Sequence, residues 1–257
     1  MAPCSQLGTH GSPGQWPSTK QHVKSDTAVR EMLFMHTAGA HPNLIQLQET
    51  FVQGSTVYLV LQYARASLWD EWKRAGGLLP WDEVTRYGRH MLQGVEHLHH
   101  MGVVHRDLGM PNILIHEGSA IVADLGMAAC ASNLVLEETV TTAAFRAPEV
   151  LLGCTHLERP SAMDMWFCGV VLAALFMGQL PFGDGNGSKL FVFENQVCCL
   201  AQLPEKAWPS RSGAANWEAY KMVVPTPLPT QSGFIRGLPG GRSLATNPTW
   251  SSCCRCS

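Results

Sequence analysis

An α+β fold is what this sequence predicts, with a small sheet-bearing first part and a mainly helical second half. Three observations carry that expectation. Residues 44–51 and 57–63 are runs rich in Val, Leu, Ile and Tyr, split by Gln53-Gly54-Ser55, which is a hairpin pattern. Val84, Tyr87, Met91, Leu92, Val95 and Leu98 recur at the spacing of one helix face. Met165 to Gly178 is an apolar run of 14 residues. A membrane span needs about 20, so this run is expected as a helix buried on all sides of a core.

In chain order, residues 1–20 mix three Pro and three Gly with Ser, Thr and Gln, have no periodicity and read as an irregular tail. Residues 25–40 place Ala28, Met32, Phe34 and Met35 to one side of a short amphipathic helix. After the hairpin, Leu68–Arg74 is a short helix ended by Gly76-Gly77. Pro80-Trp81-Asp82-Glu83 opens the long helix with acids in its first turn, where they complement the helix dipole. Ile113–Ile115 and Ala120–Ala123 flank Glu117-Gly118 as a second tight hairpin. From Pro225 onward, five Pro, four Gly and nine Ser or Thr in 33 residues read as a second tail.

The chain is 257 residues with 18 Lys+Arg, 20 Asp+Glu and a formal net charge of -2. That balance excludes nucleic-acid binding driven by phosphate neutralisation, and the 46% hydrophobic content places the chain among globular proteins. No membrane segment and no apolar secretory core near the N-terminus is visible, and the nine cysteines are odd in number and scattered. Free thiols in a reducing, intracellular compartment, cytoplasmic or nuclear, are therefore expected. Cys253, Cys254 and Cys256 crowd the C-terminus, but Arg255 breaks the aliphatic pattern that prenylation requires.

The chemistry-bearing stretch is His105-Arg106-Asp107-Leu108-Gly109-Met110-Pro111-Asn112, with Asp124-Leu125-Gly126 beyond the second hairpin and Ala147-Pro148-Glu149 further on. A carboxylate and an amide five residues apart in a loop, plus a carboxylate after a hairpin, can converge on one small site. Asn112 and Asp124 are hard oxygen ligands suited to Mg²⁺, which leaves Asp107 to accept a proton from an attacking hydroxyl.

With these residues the sequence resembles the eukaryotic protein kinases. His105 to Asn112 is similar to their H-R-D-L-x-x-x-N catalytic loop, Asp124-Leu125-Gly126 to D-F-G, and Ala147-Pro148-Glu149 is the A-P-E. Asp164-Met165-Trp166 is similar to the D-x-W that opens the family's buried central helix. Phe145 to Gly153 resembles Y-R-A-P-E-V-L-L-G of the CMGC group, and Ser25 to Glu31 resembles P-S-T-A-I-R-E of cyclin-dependent kinases. His41-Pro42-Asn43 and Trp208-Pro209 fit the same group.

The resemblance implies a two-lobed kinase-like fold: a small N-lobe sheet with one helix, then a mainly helical C-lobe. Residues 1–20 would be the tail, 21–63 a partial N-lobe, 64–224 the C-lobe and 225–257 the second tail. It implies ATP and Mg²⁺ as cofactors, a protein Ser or Thr as substrate, and a cyclin-like partner at the helix carrying Thr27 to Glu31. Asp107 and Arg106 are the catalytic-loop candidates, and Asn112 and Asp124 the metal ligands. Leu61 would be the gatekeeper, the backbone from Gln62 to Ala64 the hinge that binds adenine, and Glu31 would orient a phosphate lysine.

That lysine is Lys20, 11 residues before Glu31, or Lys24, seven before it; a solvated side chain is the other reading of Lys20. Pro17 makes residues 15–19 a poor strand. Gly8, Gly11 and Gly14, spaced by three and near Pro13, read as a flexible tail and not as a phosphate loop, and Gly109 stands where the family's catalytic-loop lysine belongs. Glu137 occupies the position of an activating phosphothreonine, where Arg106 and Arg30 would meet it. Three functions are therefore expected in competition: an active kinase, a pseudokinase serving as a binding or scaffold module, and a fragment of a kinase.

Overall fold

The computed structural model describes residues 19–23, 25–54, 56–134, 143–153, 157, 159–183, 191–192 and 195–196. Residues 1–18 of the first tail, the second tail at 225–257, Lys24, Glu137 and Trp208-Pro209 lie outside the described residues. The chain divides into two compact units, Met1–Leu134 with Arg159–Pro181, and Val135–Glu158 with Phe182–Ser257.

The first unit opens with strand β1 (Thr19–Val23), where the sequence predicts no strand and the boundary between tail and N-lobe falls at residue 20. Pro17 lies before it and removes none of its ladder donors. Helix α1 (Ser25–Ala38) follows, burying Ala28, Glu31, Met35 and Ala38 along one stripe and ending at Gly39, whose φ of 68° and N–H to the Met35 carbonyl close the last turn. The predicted hairpin is β2 (Leu47–Gln53) and β3 (Thr56–Leu61), and the sheet order is β1-β3-β2, antiparallel throughout, with Lys20 opposite Val60.

β4 (Ala66–Ser67) leads into α2 (Leu68–Arg74), which starts with a capping box: the Asp70 N–H donates to Ser67 Oγ while the Ser67 N–H donates to Asp70. α3 (Trp81–His100) buries Val84, Tyr87, Met91, Val95 and Leu98, the face that the periodicity predicts. β5 (Val103–Val104) then delivers the chain to the 105–112 loop. β6 (Ile113–His116) and β7 (Ser119–Val122) pair with Ile113 opposite Val122 around a two-residue turn, Glu117 and Gly118 at φ 48° and 75°. β8 (Ala129–Cys130) returns to pair with β5.

In the second unit the Pro148 ring starts α4 (Pro148–Leu151), and the buried Gln196 amide donates to the Arg146 carbonyl at 2.7 Å.

α5 (Ser161–Met177), in the first unit, is the expected apolar helix, packed against α3. The expectation of burial on all sides is corrected: Phe167, Cys168, Val171, Ala174 and Leu175 are buried, but Met165 and Phe176 are about half exposed. An all-apolar helix carries no polar stripe to mark its outer side, so hydropathy alone could not separate the two faces.

Candidate active site

The 105–112 loop is held from beneath by one residue of α5. Asp164 is fully buried, and its two oxygens accept three donors: the His105 N–H at 2.8 Å, the Arg106 N–H at 2.9 Å and His99 Nε2 at 2.8 Å. Arg106 sits at φ 72°, a left-handed conformation that costs a side-chain-bearing residue on the order of 1–2 kcal/mol. Charge-assisted hydrogen bonds of this kind contribute about 1.5–3 kcal/mol each, enough to hold it there.

His105 is fully buried and anchors the loop a second time. Its Nδ1 accepts the Asp107 N–H at 3.3 Å, so the ring carries its proton on Nε2, which donates to the Ala123 carbonyl at 2.9 Å. The chain thereby turns Asp107 outward into a half-buried position.

Asn112 completes the loop. Its Nδ2 donates to the Asp107 carbonyl at 2.8 Å and to Asp107 Oδ2 at 3.2 Å, fixing the carboxylate rotamer. The Ala123 N–H donates to the Asn112 carbonyl at 2.9 Å, which sets Asn112 and Asp124 at the same end of the β6–β7 hairpin. Asp124 is at φ 65° and caps a single 3-10 turn, Leu125–Met127, by accepting the Gly126 N–H at 3.2 Å. The described geometry therefore joins Asp107 to Asn112 and Asn112 to the residue preceding Asp124.

Helix α1 packs on the turn that follows Asp124. Glu31, 1% exposed, has no hydrogen-bond partner for either oxygen among the described residues. Burial, and secondarily the charge of Asp124, push its carboxyl up to about 8. Lys20 lies on β1, one short connection before α1. On the connecting segment Leu61 is buried at the end of β3, Gln62 donates its N–H to the Gln46 carbonyl at 2.9 Å, and the Ala64 backbone has no backbone partner among the described residues. Arg106 is buried and Arg30 exposed.

Two residues in this machinery were given no role at the site by the sequence, although Asp164 stands in the D-x-W motif. His99 is one of three histidines ending α3 and carries no signal beyond a helix end. Asp164 does carry one: a lone acid opening an otherwise apolar helix must find donors when buried.

Among the described residues no group of three or more His, Cys, Asp or Glu could hold a metal by itself. A two-ligand oxygen set, an amide and a carboxylate, fits a cation that completes its shell with phosphate oxygens and water, as Mg²⁺ does. A loop that holds a half-buried carboxylate beside such a set on an α+β scaffold has the donor types that phosphoryl transfer requires. The chain belongs to the protein kinase domain family, whose model matches residues 17–223 and whose cofactors are ATP and Mg²⁺.

Its similar proteins are serine/threonine kinases. It is 35% identical over 161 residues to serine/threonine-protein kinase GIN4 of Saccharomyces cerevisiae, covering 62% of this chain and 14% of that protein. It is 32% identical over 208 residues to cyclin-dependent kinase 7 of Xenopus laevis, covering 79% and 57%. It is 35% identical over 183 residues to CBL-interacting protein kinase 9 of Oryza sativa subsp. japonica, covering 69% and 38%. The chain thus spans less than two thirds of the length of each of these relatives. No helix among the described residues is long and apolar enough to cross a membrane.

Proposed function

We propose that this chain transfers the γ-phosphate of ATP to a Ser or Thr hydroxyl of a protein, as a cyclin-dependent-kinase-like member of its family in the CMGC group. The observation that carries this reading is the Asp107–Asn112 pair, locked from below by His105 and Asp164. Asp107 orients the substrate hydroxyl and takes its proton as the new bond forms. Asn112 and Asp124 would hold Mg²⁺, and Arg106 supports the loop. When bound, Mg·ATP supplies the phosphoryl group and offsets its negative charge. Behind the gatekeeper Leu61, the hinge backbone from Gln62 to Ala64 binds adenine, and Glu31 orients Lys20 toward phosphate. Gly109 lowers the rate, since it stands where the family's catalytic-loop lysine would add a positive charge near the transferred group.

The CMGC placement is supported by Phe145 to Gly153 and by residues 25–31, and the cyclin-like partner by the exposed Val29 and Leu33 on α1. An intracellular location, cytoplasmic or nuclear, accords with the scattered cysteines.

A second reading, a pseudokinase binding or scaffold module, is favoured by the buried Glu31 carboxylate, which has no hydrogen-bond partner among the described residues, and by Gly109 in place of the catalytic-loop lysine. Two measurements separate the two. Wild type should transfer phosphate and Asp107→Asn should lose it by at least about a hundredfold, within the range expected of a general base. Mg·ATP at 100 times Kd should stabilise wild type by about 2.7 kcal/mol and leave Asp124→Ala unchanged. Stabilisation without transfer selects the scaffold; neither effect defeats both readings.

A further inference from the structure

Outside this site a second cluster of titratable groups joins α1 to α3. Where α1 ends, His97 on α3 donates Nε2–H to the carbonyl of Ala38, the helix's last residue, at 2.7 Å. The His97 ring stacks on His41 with centroids 4.7 Å apart and planes 21° from parallel. His41 Nδ1 accepts the Asn43 N–H at 3.2 Å, and the buried Asn43 amide donates to the Ala120 carbonyl of β7 at 3.0 Å. The Asn43 carbonyl in turn accepts the Val122 N–H at 2.9 Å. Both half-buried rings line an open cleft of about 320 Å³ together with Gln93, Glu96 and His100.

We propose that His97 is a positioning residue that holds α1, and with it Glu31, through Ala38 and His41, and that this clamp opens on acidification. A protonated His41 carries a hydrogen on Nδ1, so it can no longer accept the Asn43 N–H. The groups facing the pair are Glu96 and His100 from α3 and the Ala38 carbonyl from α1; the 39–46 connection has no other titratable side chain, and β7 has none. Glu96 opposes the opening by favouring a charged ring, and His100 adds to it.

Burial and then the charge of His97 hold His41 below its ordinary value. A histidine with a lowered folded-state value stabilises the fold fully above about pH 6.5 and progressively less as pH falls below it. The effect on catalysis rests on the kinase reading above; the effect on α1 does not.

The test is amide hydrogen exchange of the full chain at pH 7.5 and 5.5, corrected for intrinsic rates. In wild type, protection of the amides of 35–39 should fall about tenfold on acidification, the factor that about 1.4 kcal/mol produces. His41→Gln removes the titrating ring, so its protection should stay flat between the two pH values, whereas His97→Gln retains the donor to Ala38 and should match wild type at pH 7.5. His97→Leu should lose protection at both values; if it fails to fold, the wild-type and His41→Gln pair decides. Wild-type protection indifferent to pH, or an equal fall in His41→Gln, would overturn the proposal. If wild type transfers phosphate, His97→Leu should raise KM for Mg·ATP more than it lowers kcat, with Gln restoring it. Absence of transfer at every pH counts against the kinase reading, and the exchange result still decides the clamp.

Discussion

On the stripe formed by Ala28, Glu31, Met35 and Ala38, three positions meet the usual requirement of a buried helix face and one does not. A carboxylate there favours its neutral form, because no hydrogen bond among the described residues repays its desolvation. The folded-state value of about 8 lies above the ordinary 4.5, so the folded chain binds the extra proton between those values. Its contribution is fully present below about pH 4.5 and is lost as pH rises through about 8. Glu31→Gln should therefore gain stability relative to wild type between pH 5 and 8.5, on the order of 4 kcal/mol, read from urea midpoints. A flat difference would mean that a cation, in the first place the β1 lysine, already pairs with Glu31 in the free protein.

At the scale of elements, two helical glycines respond in opposite directions to one substitution. A Cβ on Gly94 of α3 would lie 2.6 Å from the Asn43 carbonyl oxygen, a backbone atom that cannot swing aside. Gly94→Ala should destabilise by about 1–3 kcal/mol, the usual cost of overpacking, and raise exchange at Asn43 and Val122. On α5, Gly169 has nothing within 4 Å of that position. Gly169→Ala should stabilise by about 0.5–1 kcal/mol through helix propensity alone, seen as a higher melting temperature. The sequence located α3 by its periodicity and α5 by its apolar run, and could not tell these glycines apart. The distinction lies in which backbone passes overhead.

For the molecule as a whole, the outer ends of α3 and α5 carry an apolar patch. Leu78 and Trp81 are 65% and 66% exposed, Phe176 is 47% exposed, and the Trp81 and Phe176 rings lie 5.0 Å apart. Exposed apolar groups gathered in this way drive association. Trp81→Arg combined with Phe176→Gln should reduce self-association in light scattering while changing unfolding free energy by no more than about 1 kcal/mol in total. Unchanged scattering would show that the patch is inert in solution.

The residue types, spacings and local propensities of the chain were enough to place α1, the β2–β3 hairpin, α2, α3, the β6–β7 hairpin and α5, because each follows from a period of 3.6 or 2 or from a turn residue that needs no distant partner. They were also enough to single out Asp107, Asn112 and Asp124, whose chemistry is a property of side-chain type and order. Strand β1 was not legible: five residues, Thr19–Val23, become a strand by pairing with β3, and nothing local requires it. The support beneath the loop was not legible either. Asp164 lies 57 residues from Asp107 in the chain, and His99 ends a helix like any other histidine. Only tertiary packing puts that buried carboxylate under the Arg106 turn, His99 against it, and Glu31 beside Asp124 without a hydrogen-bond partner among the described residues. Burial and desolvation are set by what surrounds a group, and a linear sequence does not specify those surroundings.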